Sequence, residues 1–398
     1  MKEEKKLISA LALIQFTHIL DFVILMPLGP QLIRVLGIST GEFSLLISSY
    51  TFSAALSGIV LSSFIDRFPR KKALSILYLV FSLATLGCGL SLGYKSFLLM
   101  RLIAGGSGGI LNGILLTIIG DEVGEQRRGR AIGAVMSSFS VASIVGVPCG
   151  LLLATSFDFR APFLALSLLS FSVWFYLQKA VVLSDTRSKI STIQTPPEKV
   201  SLSSFSVGLC ATFFLMVSGY SIVPFVSTSL VANAGVEEAS LFYVYFCAGL
   251  VSFFTSRAFG FASDRFGKLR MFQVLGAISI VTTLLITNLP KTGLAFAAIT
   301  TTFFMVFNSG RVVPVFSLLT SRVPSRVRGR FMTLNSAVQQ LGSGLGAFLS
   351  GQMVSLTSSG LKGFPMAGGL SVLSLVISMT LATVFLLSMR TQMWPNQT

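Results

Sequence analysis

The chain has 398 residues, 53% of them hydrophobic and 11% charged, with 30 Lys and Arg against 14 Asp and Glu and a net charge of +16. A water-soluble domain of this composition would precipitate, and the apolar residues fall in runs near the ~20 needed to cross a ~30 Å hydrocarbon core. The positive charge is spread over short segments and collects on no single groove or helix face, which argues against a nucleic-acid partner.

The first apolar run, 7–28, contains Gln15, His18 and Asp21. No small-residue cleavage pattern follows it, so it reads as a retained helix and not a signal peptide. Five more runs follow at 41–63, 73–93, 97–118, 131–153 and 162–182, and a second set of six at 205–227, 239–261, 271–289, 293–318, 331–354 and 364–388. Twelve transmembrane helices are therefore expected, in an all-α membrane protein. With the N-terminus inside, twenty-two of the thirty basic residues fall in cytoplasmic segments. Basic residues resist translocation, so both termini are placed in the cytoplasm.

Among the fourteen acids, Asp21 alone falls well inside a predicted helix. Gln15, His18 and Asp21 recur every three residues and so drift slowly round one helix face. A lipid-facing carboxylate would cost several kcal/mol, so that face is expected to line a cavity. Arg101, in the fourth run, lies within ~4–5 Å of the depth of Asp21 at 1.5 Å per residue. Two readings stay open for the pair. Asp21 exchanges a proton against substrate, with Arg101 holding the carboxylate ionised in one state and releasing it in another, or the two form a static salt bridge. His18, the single histidine, either shares a proton relay or is a structural hydrogen-bonding group.

The fourth run carries glycines at 105, 106, 108, 109 and 113, a spacing that lets backbones approach. In the fifth, the segment Gly146-Val147-Pro148-Cys149-Gly150 is expected to bend the helix, because proline removes a backbone donor and clashes with the preceding turn. The longest polar stretch, 184–204, contains Thr195-Pro196-Pro197 and has too little apolar content for a core of its own. It reads as a cytoplasmic linker between a bundle at 1–183 and another at 205–398.

In the second set, Asn308 and Arg311 lie one turn apart on the tenth helix. An anionic group on a substrate is one explanation of Arg311; snorkelling to the interface or bonding of backbone carbonyls is the other. Asn112, Tyr220, Asn335, Gln339 and Gln340 are further polar groups able to orient a ligand or to join helices. Glycines recur on the eleventh helix at 342, 344, 346 and 351. Cys88, Cys149, Cys210 and Cys247 are expected to be buried free thiols, with neither disulfide nor metal spacing.

The two sets are copies. Asp66-Arg67-Phe68-Pro69-Arg70 returns as Asp264-Arg265-Phe266-Gly267-Lys268 at an offset of 198, and Arg128-Gly129-Arg130 returns as Arg328-Gly329-Arg330 at an offset of 200. The loop pattern small-x-x-x-Asp-Arg-x-Gly-Arg/Lys resembles the signature of the major facilitator superfamily. The second copy matches closely, while the first has Ser62 and Pro69 at the usual glycines, so its turn is expected to differ. Arg101-x-x-x-Gly105-x-x-Gly108-Gly109 is similar to the Arg-Gly motif of proton-linked members, and Gly146 to Gly150 is a degenerate form of the antiporter Gly-Pro motif. Together with Met26-Pro27-Leu28-Gly29-Pro30 and Ser49-Tyr50-Thr51, these resemble the drug/proton-antiporter branch, in particular arabinose-efflux-permease-like proteins.

That resemblance implies two six-helix bundles and a latch at the inner mouth. Asp66, with Arg67 and Arg70, would face the start of helix 11 at Arg330. Asp264, with Arg265 and Lys268, would face the start of helix 5 at Arg130. The alternative is that these loops only set topology. The function so implied is secondary transport of a small solute by alternating access, as proton-coupled efflux from a bacterial-type inner membrane. No cofactor or metal is expected, with the proton gradient as energy source and a monomer as the working unit. Uptake or uniport on the same fold, and a membrane sensor that does not transport, are the competing functions. An enzyme is not expected, because one buried acid and one histidine offer little for hydrolysis or group transfer.

Overall fold

A computed structural model of the chain describes residues 2–65, 68–180, 203–323 and 325–393. Nearly all of these are helical. Hydrocarbon offers the backbone no hydrogen-bond partners, so a spanning segment must satisfy its own N–H and C=O groups. The chain divides into two compact units, one of residues 1–193 with 237–246, the other of 194–236 with 247–398.

The first unit contains α1 (Lys2–Ile24), α2 (Thr40–Ile65), α3 (Arg70–Gly89), α4 (Tyr94–Glu122), α5 (residues 125–156) and α6 (Arg160–Ala180). The expected first span is cut short at Ile24, and Pro30 opens a separate short helix, Gly29–Leu36, that ends at Gly37 in the left-handed region with φ 62°. The second unit contains α7 (Ser203–Tyr220), most of α8 (Leu241–Phe266), α9 (Lys268–Thr287), α10 (Leu294–Gly310 and Val312–Arg322), α11 (Ser325–Met353) and α12 (Phe364–Met393). The expected linker lies outside the described residues up to 202; its last two residues already belong to α7.

Eleven helices among the described residues are long and apolar enough to cross a membrane. The twelfth expected crossing, α11, is 29 residues long, but its polar and glycine positions lower its hydropathy. The glycines have a packing reason. A Cβ at Gly342 would lie 2.6 Å from the carbonyl oxygen of Phe213, and one at Gly346 2.6 Å from that of Val217, both on α7. The first unit repeats the device on other helices: Gly105 and Gly109 of α4 press directly on the backbone of Tyr50 and Ala54 of α2. Close backbone approach of this kind replaces the hydrophobic driving force that lipid removes.

Two features depart from the expected pattern. A small antiparallel hairpin, Ser355–Thr357 with Gly360–Lys362, joins α11 to α12; Asn233 clamps it by donating to the Leu361 carbonyl at 3.1 Å and accepting from the Leu361 N–H at 2.6 Å. Of the four cysteines expected to be buried, Cys88 is, whereas Cys149, Cys210 and Cys247 are exposed on their helices. A thiol is apolar enough to sit on the outer face of a membrane helix without penalty.

Candidate functional site

The buried face of α1 carries Gln15, Thr17, His18 and Asp21. Arg101, one turn before Gly105 on α4, reaches Asp21 directly: its Nη1 donates to Oδ2 at 2.7 Å and to the Asp21 carbonyl at 3.2 Å. Both side chains have zero exposure. The second carboxylate oxygen accepts from the Thr85 hydroxyl of α3 at 3.0 Å. The guanidinium lies over the Tyr50 ring of α2, 4.4 Å from its centroid. One carboxylate is thus held by α3 and α4 together, and its counter-ion rests on an aromatic face from α2. Tyr50 and Thr85 were not legible as site residues. Tyr50 lay inside a recognised motif without an assigned role, and nothing in the apolar run of α3 distinguishes Thr85 from an ordinary packing residue.

His18 sits one turn before Asp21, 9% exposed, with its ring edge-on to Phe81 at 5.7 Å and tilted against Tyr50 at 6.4 Å. Neither ring nitrogen is hydrogen-bonded, nor is the Tyr50 hydroxyl. Gly108 makes the room they occupy, since a Cβ there would lie 2.6 Å from His18 Nε2 and 2.8 Å from the Tyr50 hydroxyl. Gln15 Oε1 and Asn112 Oδ1 are also buried without partners. The site is therefore a buried polar cluster within one unit, in which the acid is bonded at both oxygens and several of its neighbours are not.

The Gly146–Gly150 segment of α5 closes on α1 on either side of Asp21. A Cβ at Gly146 would come within 2.8 Å of Leu20, and one at Gly150 within 2.5 Å of Ile24. The break expected at Pro148 takes the form of a π-helical turn, Ala142–Gly146, immediately before the helix Val147–Ser156. Widening the helix there accommodates a residue that has no N–H to give.

In the second unit Arg311 stands at the joint between the two pieces of α10, with 1% exposure. Its Nη2 donates to Asn308 Oδ1 at 2.6 Å, while Nε and Nη1 have no acceptor. Tyr220 of α7 is hydrogen-bonded to Ser343, which in turn donates to the Gln339 carbonyl at 2.8 Å. Asn335, 3% exposed, has an unpartnered Oδ1.

The signature loops are described in part. Asp66 and Arg67, and the side chain of Arg330, lie outside the described residues. Arg70 Nε lies 3.7 Å from Asp121 at the end of α4. Asp264, Arg265 and Arg130 are exposed, and Lys268 donates to the Ser317 carbonyl at 3.1 Å. The expected difference between the two turns is present: Gly267 has φ 94°, which an L side chain resists, whereas Pro69 at the equivalent position has φ −55°. Near the opposite end of the first unit, Arg34 forms a two-pronged ion pair with Glu238. That hydrogen bond raises the pKa of the guanidinium above its usual value.

The pattern of the Major Facilitator Superfamily matches residues 11–347. The uncharacterized MFS-type transporter YbcL of Bacillus subtilis is 24% identical over 93% of this chain and 94% of its own. The putative transporter AraJ of Escherichia coli is 21% identical over 88% and 89%, and the chloramphenicol resistance protein of Streptomyces lividans is 24% identical over 57% of each. Among solved structures, an inward-facing bacterial homologue of the human lysosomal transporter Spinster superposes with a TM-score of 0.75 over 98% of both chains at 18% identity.

Proposed function

The chain belongs to the Major Facilitator Superfamily and is a secondary transporter, and from that premise we propose that it exports a small solute in exchange for protons, with Asp21 as the proton carrier. The observation that supports this most is the Asp21–Arg101 pair. A carboxylate at membrane depth is costly and persists where it is paired or does work. Here it has a single cationic partner and one neutral donor, so taking up a proton removes one defined attraction and frees Arg101. Export is supported by the name of the chloramphenicol resistance relative and by the antiporter-like Gly146–Gly150 segment.

Arg101 is the positioning partner of Asp21, and Tyr50 and Thr85 hold the two in register. His18 packs beside the pair: both its nitrogens are unbonded and its ring lies against Tyr50 and Phe81. The protein works as a monomer in a bacterial-type plasma membrane with both termini in the cytoplasm, and the signature loops latch the inner mouth.

The test is made in proteoliposomes with an imposed pH gradient, following lumenal pH as candidate solutes are added, wild type beside Asp21→Asn. Solute-evoked proton movement in wild type and none in the variant is the expected result. Movement that survives in the variant removes Asp21 from the proton path.

A further inference from the structure

We infer that Arg311 and Asn308 form a seat for an anionic group, a carboxylate, sulfonate or phosphate, carried by the solute this protein transports. Calling the ligand a transported solute rests on the transporter reading above; the anion seat itself does not. Arg311 follows Leu294, the outer start of α10, by seventeen residues, which places it ~26 Å along the helix. That is past the middle of a 28-residue span and well short of its inner end. A guanidinium cannot shed its proton at ordinary pH, so its charge has to be compensated at that depth.

The two ordinary compensations are missing. Snorkelling would leave the head group exposed, and the side chain is 1% exposed. Bonding to backbone carbonyls would occupy the nitrogens, yet Nε and Nη1 have no acceptor and Nη2 has only Asn308 Oδ1. Nor is there a carboxylate to serve among the described residues of the second unit. From residue 203 onward the sequence contains three acids, Glu237, Glu238 and Asp264. Glu237 and Asp264 are exposed, and Glu238 belongs to the first unit, bonded to Arg34.

Arg101 shows how the chain compensates a buried arginine from its own residues: it supplies an aspartate at 2.7 Å. Arg311 has been given an amide instead, which orients the guanidinium and leaves its charge unspent. Gly219 of α7 borders the pair with no side chain of its own; a Cβ there would lie 3.4 Å from Asn308 Oδ1 and 3.7 Å from Arg311 Nη2. The missing component is a negative charge that comes and goes, as a substrate does.

The experiment measures thermal unfolding of the purified full-length protein titrated with benzenesulfonate, benzoate and phenyl phosphate, using benzenesulfonamide as the uncharged control. Wild type is expected to be stabilised by at least one of the anions and not by the control. Arg311→Gln should weaken the apparent affinity at least tenfold, and Arg311→Lys should keep part of it. Without any anion, Arg311→Gln should melt at or above the wild-type temperature, because it removes an uncompensated buried charge; this separates loss of the site from loss of the fold.

Repeating the titration in nanodiscs of phosphatidylcholine with and without phosphatidylglycerol distinguishes a soluble anion from a lipid headgroup, since only the headgroup competes with the aryl anions. The titration is made on the wild type and the Arg311 variants at one pH with no gradient and needs no proton movement, so failure of proton coupling and failure of the anion seat are read separately. The inference is overturned if no aryl anion stabilises the wild type, if the sulfonamide does so equally, or if Arg311→Gln responds as wild type does.

Discussion

A double-mutant cycle on Asp21 and Arg101 puts the physical reading of the site to its most direct test. Two unit charges roughly 4 Å apart attract by ~4 kcal/mol at an effective dielectric of about 20. Neutralising one partner strands the other where water does not reach, since both side chains have zero exposure. That costs ~3–5 kcal/mol. Asp21→Asn and Arg101→Gln should each destabilise by about that amount, even though the asparagine can keep the Thr85 hydrogen bond by accepting from Arg101 and donating to the hydroxyl. The double variant leaves two neutral amides able to bond each other, so its loss should fall well below the sum and give a coupling energy of ~3–4 kcal/mol. The measurement is reversible unfolding in mixed micelles by SDS titration for all four proteins. A coupling below ~0.5 kcal/mol, the scatter of additive pairs, would refute the claim that the two charges depend on each other.

Three further substitutions probe other levels of the structure. Gly109→Leu should separate α4 from α2, where glycine meets the Ala54 backbone, and overpacking of that kind costs ~1–3 kcal/mol; an unchanged melting temperature would contradict the contact. Gly267→Ala should cost ~1–3 kcal/mol because of its φ of 94°, while Pro69→Ala at the equivalent turn, with φ −55°, should cost less than ~1 kcal/mol. Asp264→Asn should favour the inward-open state if the second signature loop is a latch, and unaltered labelling of cavity cysteines from both sides of the membrane would rule that role out.

The architecture was legible because lipid simplifies the problem: run length marks the helices. The limits of that reading are informative too. α11 is long enough to cross yet falls short in hydropathy, since a helix that packs glycines on α7 and carries Asn335 and Gln339 does not need a greasy surface all round. Asp21 stood out by rarity and Arg101 by depth, and the two meet. Thr85 did not stand out, because a threonine on an apolar helix usually bonds its own backbone and only the fold shows which hydroxyl meets a carboxylate. The isolation of Arg311 was likewise unreadable. A sequence shows that acids are scarce, but not that the guanidinium is buried with two nitrogens unbonded.

The two charged sites together fix what proton exchange must look like. Protonating Asp21 leaves Arg101 without its counter-charge, so the buried interior becomes more positive and any direct field effect strengthens the hold of Arg311 on an anion. Exchange requires the opposite, that proton and solute weaken each other's binding, and linkage makes that effect equal in both directions. Exchange of an anion therefore has to act through conformation: the protonated protein must favour a state whose anion seat is closed, strongly enough to outweigh the electrostatic gain. The sign is measurable. Affinity for benzenesulfonate, which stays ionised throughout, is followed from mildly basic to mildly acidic medium in wild type and Asp21→Asn. Exchange predicts weaker binding on acidification in wild type and a flat profile in the variant. Tighter binding on acidification converts the reading to co-transport of proton and anion through the same residues, and a flat profile in wild type disconnects Asp21 from the solute.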